Sequence, residues 1–205
     1  MRITKFTHAC VRLEHDGGVL VIDPGVWSEP TALAGADAVL VTHEHLDHID
    51  VMRLAGVGVP VFVPADAQIG GLDDVRGLDM THVRVGDEFT VAGFRVRAVG
   101  GRHAYIHGNQ PQCANVGFVV DGRVYHPGDA LHVPDETIET LLVPADAPWL
   151  KLTEAVDFVN AVRPQRAFPV HDGLMNERGV QLVGRLFGQL TSTDYRYLAP
   201  GESVD

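Results

Sequence analysis

Residues 39–50 read VLVTHEHLDHID: the apolar run Val39-Leu40-Val41 leads at once into His43, His45, Asp47 and His48. A continuously apolar run that ends in polar residues predicts a strand covered on both faces, with the polar residues at its exit. His43 and His45 are two positions apart, so on an extended strand end both imidazoles point the same way. Asp47 and His48 follow in a turning segment and face a second point close by. Imidazole and carboxylate are good ligands for a divalent metal, at about 2.0–2.2 Å for zinc. A polar loop with accidental histidines explains a lone histidine better than it explains this spacing.

One cluster cannot complete two metal sites, and further candidates stand at other predicted strand ends. His103 follows FRVRAVG, Asp129 follows the strand Arg123-Val124-Tyr125 in YHPGD, and His171 ends Ala167-Phe168-Pro169-Val170. Residues at strand-to-loop junctions are held by a rigid sheet while facing solvent.

The wider pattern agrees. RITKF, CVRLEH, GVLVID, AVLVTH, VPVFVP, HVRV, EFTVAG and FRVRAVG all read as strands, Val-rich and separated by Gly, Asp or Pro. Asp16-Gly17-Gly18 and Asp121-Gly122 predict hairpin turns. Helical spacing appears in the second half, from Thr153 to the stop at Pro164, and again from Asn176 or Glu177 through Phe187. A short helix after Asp50, capped by that residue, is also expected. Two blocks of strands, each closed by helix, predict two packed sheets with helices outside, in one domain over residues 1–205.

Composition narrows the function classes. The chain has 205 residues, 45% of them apolar, and a formal net charge of -11. That charge disfavours nucleic acid and anionic membrane surfaces as partners, which call for a basic footprint. A bound dication creates a local positive field, so a small anionic substrate stays compatible. The opening MRITKFTHACVRLEHD lacks the apolar core of a signal peptide, and no apolar run approaches the length of a membrane span. Cys10 and Cys113 form no CxxC pair, which suggests a reducing, cytoplasmic setting and a small buried role for the thiols.

The ordered set His43-Glu44-His45-Leu46-Asp47-His48, His103, Asp129 and His171 resembles the metallo-β-lactamase-fold metal-dependent hydrolases over nearly the whole chain. Thr7-His8-Ala9-Cys10, VLVIDPG, YHPGD and PVHD look most like the branch containing ascorbate-6-phosphate lactonase. The resemblance implies an α/β four-layer αβ/βα sandwich with two mixed β-sheets. It implies two divalent metal ions, zinc foremost, with manganese, iron, cobalt or nickel also suited to such ligands. His43, His45 and His103 would hold the first metal, Asp47, His48 and His171 the second, and Asp129 would bridge. The expected activity is hydrolysis of a small ester, lactone or phosphodiester by a hydroxide shared between the metals, with Asp47 also taking the water's proton.

Around this set, Asp23 reads as a residue orienting a ligand, although an aspartate before Pro24-Gly25 also forms turns. His8 reads equally as a pocket residue or a structural histidine. His107 is the rival of His103, but stands farther from its strand. With Tyr105, Asn109 and Gln112 it becomes a substrate-contact candidate. Trp27 and Trp149 lie in Pro-flanked loops, Trp149 as the better pocket wall, and Lys151 can pair with a substrate anion or remain solvated. His126 and His132 read as structural, and His15 and His82 as surface or strand residues. The alternatives to a hydrolase are a metal-binding or ligand-sensing protein without turnover and, less favoured by charge, an RNA-processing nuclease.

Overall fold

The computed structural model describes residues 1–69 and 78–205. The first block of strands comprises β1 (Arg2–Lys5), β2 (Val11–His15), β3 (Gly18–Ile22), β4 (Ala38–Leu40), β5 (Val61–Pro64) and β6 (Met80–Val83). The second comprises β7 (Glu88–Val91), β8 (Phe94–Arg102), β9 (Ala114–Val120), β10 (Val124–His126), β11 (Thr140–Pro144), β12 (Arg166–Val170) and β13 (Asp194–Tyr195), and β14 (Ser203–Val204) returns to the first. Among the described residues these form two sheets in the orders β14-β1-β2-β3-β4-β5-β6 and β13-β12-β11-β10-β9-β8-β7. Both are mixed: β1–β2–β3 and β7–β8–β9–β10 pair antiparallel, β3–β4–β5–β6 and β10–β11–β12–β13 parallel.

Both expected hairpins form. Asp16 and Gly17 have φ of 49° and 84°, and Asp121 and Gly122 of 53° and 64°. Two successive left-handed residues make the turn whose twist matches antiparallel strands, and Asp-Gly tolerates it.

The apolar runs sort by parity, as a period of two requires. Leu20, Ile22 and Leu40 point into the cluster between the sheets, with Phe94, Val96, Phe118, Leu142 and Phe168. Val21, Val39 and Val41 point to the opposite face, against Ile49, Leu54 and Leu33. In the second sheet Leu141 and Val143 face outward onto α2 (Leu152–Val162) and α3 (Glu177–Leu190), burying Val156, Phe158, Val159, Val183 and Phe187. Helix, sheet, sheet, helix is the four-layer order expected. Asp50 caps the short helix α1 (Val51–Ala55) by accepting the Arg53 N–H, and Asn176 caps α3 by accepting the Gly179 N–H. No helix among the described residues is long and apolar enough to cross a membrane.

Candidate metal centre

The site lies where β3, β4, β8, β10 and β12 end. One expectation is corrected in detail: β4 stops at Leu40, and His43 and His45 lie on the loop beyond it rather than on a strand end. Asp23, at the end of β3 and fully buried, shapes that loop. Its Oδ1 accepts the Thr42 N–H and its Oδ2 the Thr42 hydroxyl, both at 2.7 Å, while Oδ2 also lies 2.7 Å from His48 Nδ1. The chain then turns tightly, with the N–H groups of His48 and Ile49 donating to His45 O.

Thr42 and His48 thus converge on one carboxylate, with His43 joined to it through Thr42, and this fixes which nitrogen of each ring faces the site. The Thr42 hydroxyl proton goes to Asp23, so its oxygen accepts from His43 Nδ1 at 3.1 Å, leaving Nε2 bare. Carbonyl oxygens only accept, so His103 Nδ1 donates to Ala104 O and His171 Nδ1 to Asp146 O, both at 2.6 Å. His48 donates through Nδ1 to Asp23. Each of these four rings therefore turns Nε2 inward. His45 turns Nδ1 inward, 3.0 Å from His43 Nε2, and its Nε2 lies 3.8 Å from Cys113 Sγ.

Asp129 stands at the centre. Its Oδ1 lies 3.2 Å from His48 Nε2, and its Oδ2 lies 3.3 Å from His103 Nε2 and 3.1 Å from His171 Nε2. The Pro127-Gly128 turn that presents it is locked by Asn115, which donates to Pro127 O and accepts the Asp129 N–H. Gly128 is required there: its φ is 63°, and a Cβ would stand 2.3 Å from Asn115 Oδ1. Trp149 Nε1 donates to Asp129 Oδ2 at 3.0 Å.

Two groups of ligand atoms result, His43/His45/His103/Asp129 and His8/Asp47/His48/His171, each set lying within 4.8 Å. The residues fit a metal on a further observation. His48 Nε2, His103 Nε2 and Asp129 Oδ1 are buried without a hydrogen-bond partner. Buried polar atoms are rarely left unpaired, and three at one point mark the place for a cation.

Electrostatics carry the same signature. Burial opposes the Asp129 charge, but His48, His103 and His171 outweigh it and hold the carboxyl well below its ordinary range. Burial would also lower the His48 pKa, yet Asp129 and Asp23 hold it well above its usual value. His171 is raised too, its burial overcome by the hydrogen bond and charge of Asp129. Burial, reinforced by His48, keeps His43 well below the usual value. Asp47 is raised by burial but pulled further down by the His8 hydrogen bond and by His48 and His171, to about 2. His48 and His171 thus favour their protonated forms at the place where a cation's charge would go.

His43, His45, Asp47, His48, His103, Asp129 and His171 all meet here, joined by Asp23 and His8. His8, Asp23 and His171 have φ of 66°, 50° and 56°, left-handed values that non-glycine residues adopt rarely and that cluster at functional sites. His107 does not join them: it is exposed, in a loop with exposed Tyr105, Asn109 and Gln112, whose amide donates to His103 O. His126 is structural, donating to Ala9 O and accepting the Gly128 N–H. His15 and His82 are exposed as expected, whereas His132, expected to be structural, is exposed too. Lys151 is solvated and pairs with Glu154. Trp27 is half exposed, its ring 4.6 Å from that of His8. Trp149, Tyr105, Ile106, Leu131, Pro148 and Lys151 line a groove of about 540 Å³ beside Asp129. Sequence reasoning missed Asn115, Thr42 and the buried pair Lys5–Asp172, at 2.8 Å, under the His171 loop.

Residues 2–171 match the family model described as a beta-lactamase superfamily domain. The chain belongs to the metallo-β-lactamase superfamily of metal-dependent hydrolases. It is 41% identical to protein Rv0786c of Mycobacterium tuberculosis, over 100% of this chain and 99% of that one. It is 30% identical to a UPF0173 metal-dependent hydrolase of Methanopyrus kandleri, over 84% of each. Among solved structures, Igni18, a metallo hydrolase from Ignicoccus hospitalis, shares the fold with a TM-score of 0.77, covering 99% of this chain and 97% of that one at 19% identity.

Proposed function

We propose that the protein hydrolyses a small ester, lactone or phosphodiester at a two-metal centre. His43, His45 and His103 would hold one metal and Asp47, His48 and His171 the other, with Asp129 placed to serve both. The observation that carries this is the meeting of both ligand groups at Asp129, with buried Nε2 atoms of His48 and His103 that have no hydrogen-bond partner. Such a metal pair, zinc foremost, supplies Lewis acidity that polarises the substrate oxygen and makes the attacking water acidic.

The chain's own residues do the rest. Asp23 and Thr42 hold His43 and His48 in the tautomer that leaves Nε2 free. Asp47 stays a carboxylate at neutral pH and takes the proton of the attacking water. Trp149 donates to Asp129 and walls the groove that takes the non-reacting part of the substrate. The partner is accordingly a small molecule, an anionic one included, met in the cytoplasm.

Elemental analysis of freshly purified protein, run beside an ester, lactone and phosphodiester panel, tests this reading. Two metals per chain with turnover on one class are expected. Asp129→Ala should lose more metal than His107→Ala, and equal metal content in the two would overturn the ligand assignment. Two metals without turnover would favour a ligand sensor, and salt-sensitive RNA binding a nuclease.

A further inference from the structure

We infer that His8, although grouped with Asp47, His48 and His171, is no metal ligand but the positioning residue that aims Asp47. This rests on the two-metal reading of the site. The Gly173 N–H points at His8 Nδ1 at 3.1 Å, and a backbone N–H can only donate. Nδ1 is therefore the bare nitrogen, and a neutral His8 carries its proton on Nε2. That nitrogen faces Asp47 Oδ2 at 3.0 Å and donates to it.

Four other site histidines, His43, His48, His103 and His171, are set the opposite way. His103 and His171 spend the Nδ1 proton on carbonyls, and His43 and His48 on Thr42 and Asp23, so that Nε2 is free to bind. His8 presents an N–H where they present a lone pair. It is buried, its ring packs 4.0 Å from that of His171, and its own carbonyl accepts the His171 N–H. Gly173 cannot be replaced without disturbing this contact, because a Cβ there would stand 3.0 Å from His8 Nδ1. His8 thus ties the backbone of the His171 loop to the carboxylate of Asp47, and fixes the two second-site residues that come from distant parts of the chain.

The test is ring ¹⁵N–¹H correlation NMR of wild-type protein, metal-free and titrated with zinc, together with zinc binding by His8→Gln and His8→Phe. Gln can place an N–H near Asp47; Phe keeps bulk without a donor. The expected result is an Nε2–H signature for His8 that persists at two zinc ions per chain. His8→Phe should still bind two zinc ions, the second roughly 10- to 100-fold more weakly, the scale for residues that orient a ligand, and His8→Gln should recover part of that loss. Loss of the His8 Nε2 proton as zinc enters, or an Nδ1–H tautomer in the metal-free protein, would overturn the inference while leaving the two-metal reading intact. So would a second-site affinity in His8→Phe equal to wild type. Should wild type take up no zinc, the two-metal reading fails, and the metal-free spectrum still decides the tautomer.

Discussion

Lys5→Met should destabilise the protein by about 3–5 kcal/mol. The Lys5 ammonium is 2.8 Å from Asp172 Oδ1, and the two side chains are 1% and 5% exposed. Lys5 also donates to Phe6 O. Removing the cation strands a carboxylate in a place that water does not reach, which costs about 3–5 kcal/mol for a buried pair broken from one side. For a chain of this size about 1 kcal/mol moves Tm by roughly 2–4 °C, so a fall on the order of 10 °C is expected. Urea unfolding should be run on metal-free protein, because bound metal adds its own stabilisation by mass action. The Lys5→Met/Asp172→Leu double variant should recover most of the loss, since apolar side chains can replace a buried pair at little cost. A loss below about 1 kcal/mol in the single variant would refute the reasoning, as would a double variant no more stable than it.

Asp47→Asn keeps size but loses charge and base; it should fold, retain the first metal, bind the second poorly and lose roughly 10²-fold in turnover. Near-wild-type turnover with two metals bound would contradict the role given to Asp47. Gly25→Ala should weaken the second metal more than tenfold by isothermal titration, since its Cβ would stand 2.0 Å from Asp47 O and 2.6 Å from His48 N, both backbone atoms; wild-type affinity would show that the loop yields freely. Metal binding near pH 7 should release protons, because His48 and His171 have pKa values raised above 6.5 and hold protons that a metal displaces. Affinity falls as pH drops, whereas these two groups stabilise the metal-free fold below about 6.5 and cease to do so as pH climbs through their raised values. Calorimetry in buffers of different ionisation enthalpy reads the protons directly, and heats independent of buffer would contradict the linkage.

Much of this protein is local pattern, and local pattern is legible. The Val-rich runs, the Asp-Gly turns and the caps at Asp50 and Asn176 specify strands, hairpins and helix starts through contacts a few residues long. The unbroken apolar runs at Leu20–Ile22 and Val39–Val41 require cover on both faces, which already demands layers on each side of a sheet. The spacing of His43, His45, Asp47 and His48 marks a site because those donor types crowd together in the chain itself. What remained hidden depends on register between distant strands. Asp23 is legible as a residue that orients a ligand, but that it gathers Thr42 and His48 follows from β3 and β4 running parallel, with Ile22 opposite Leu40. Asn115 locks the Asp129 turn because β9 pairs with β10, and Lys5 meets Asp172 across 167 positions. The proton on His8 is the sharpest case. A sequence names the ring, but which nitrogen is bare depends on a single backbone N–H, Gly173, that only the folded chain brings against it.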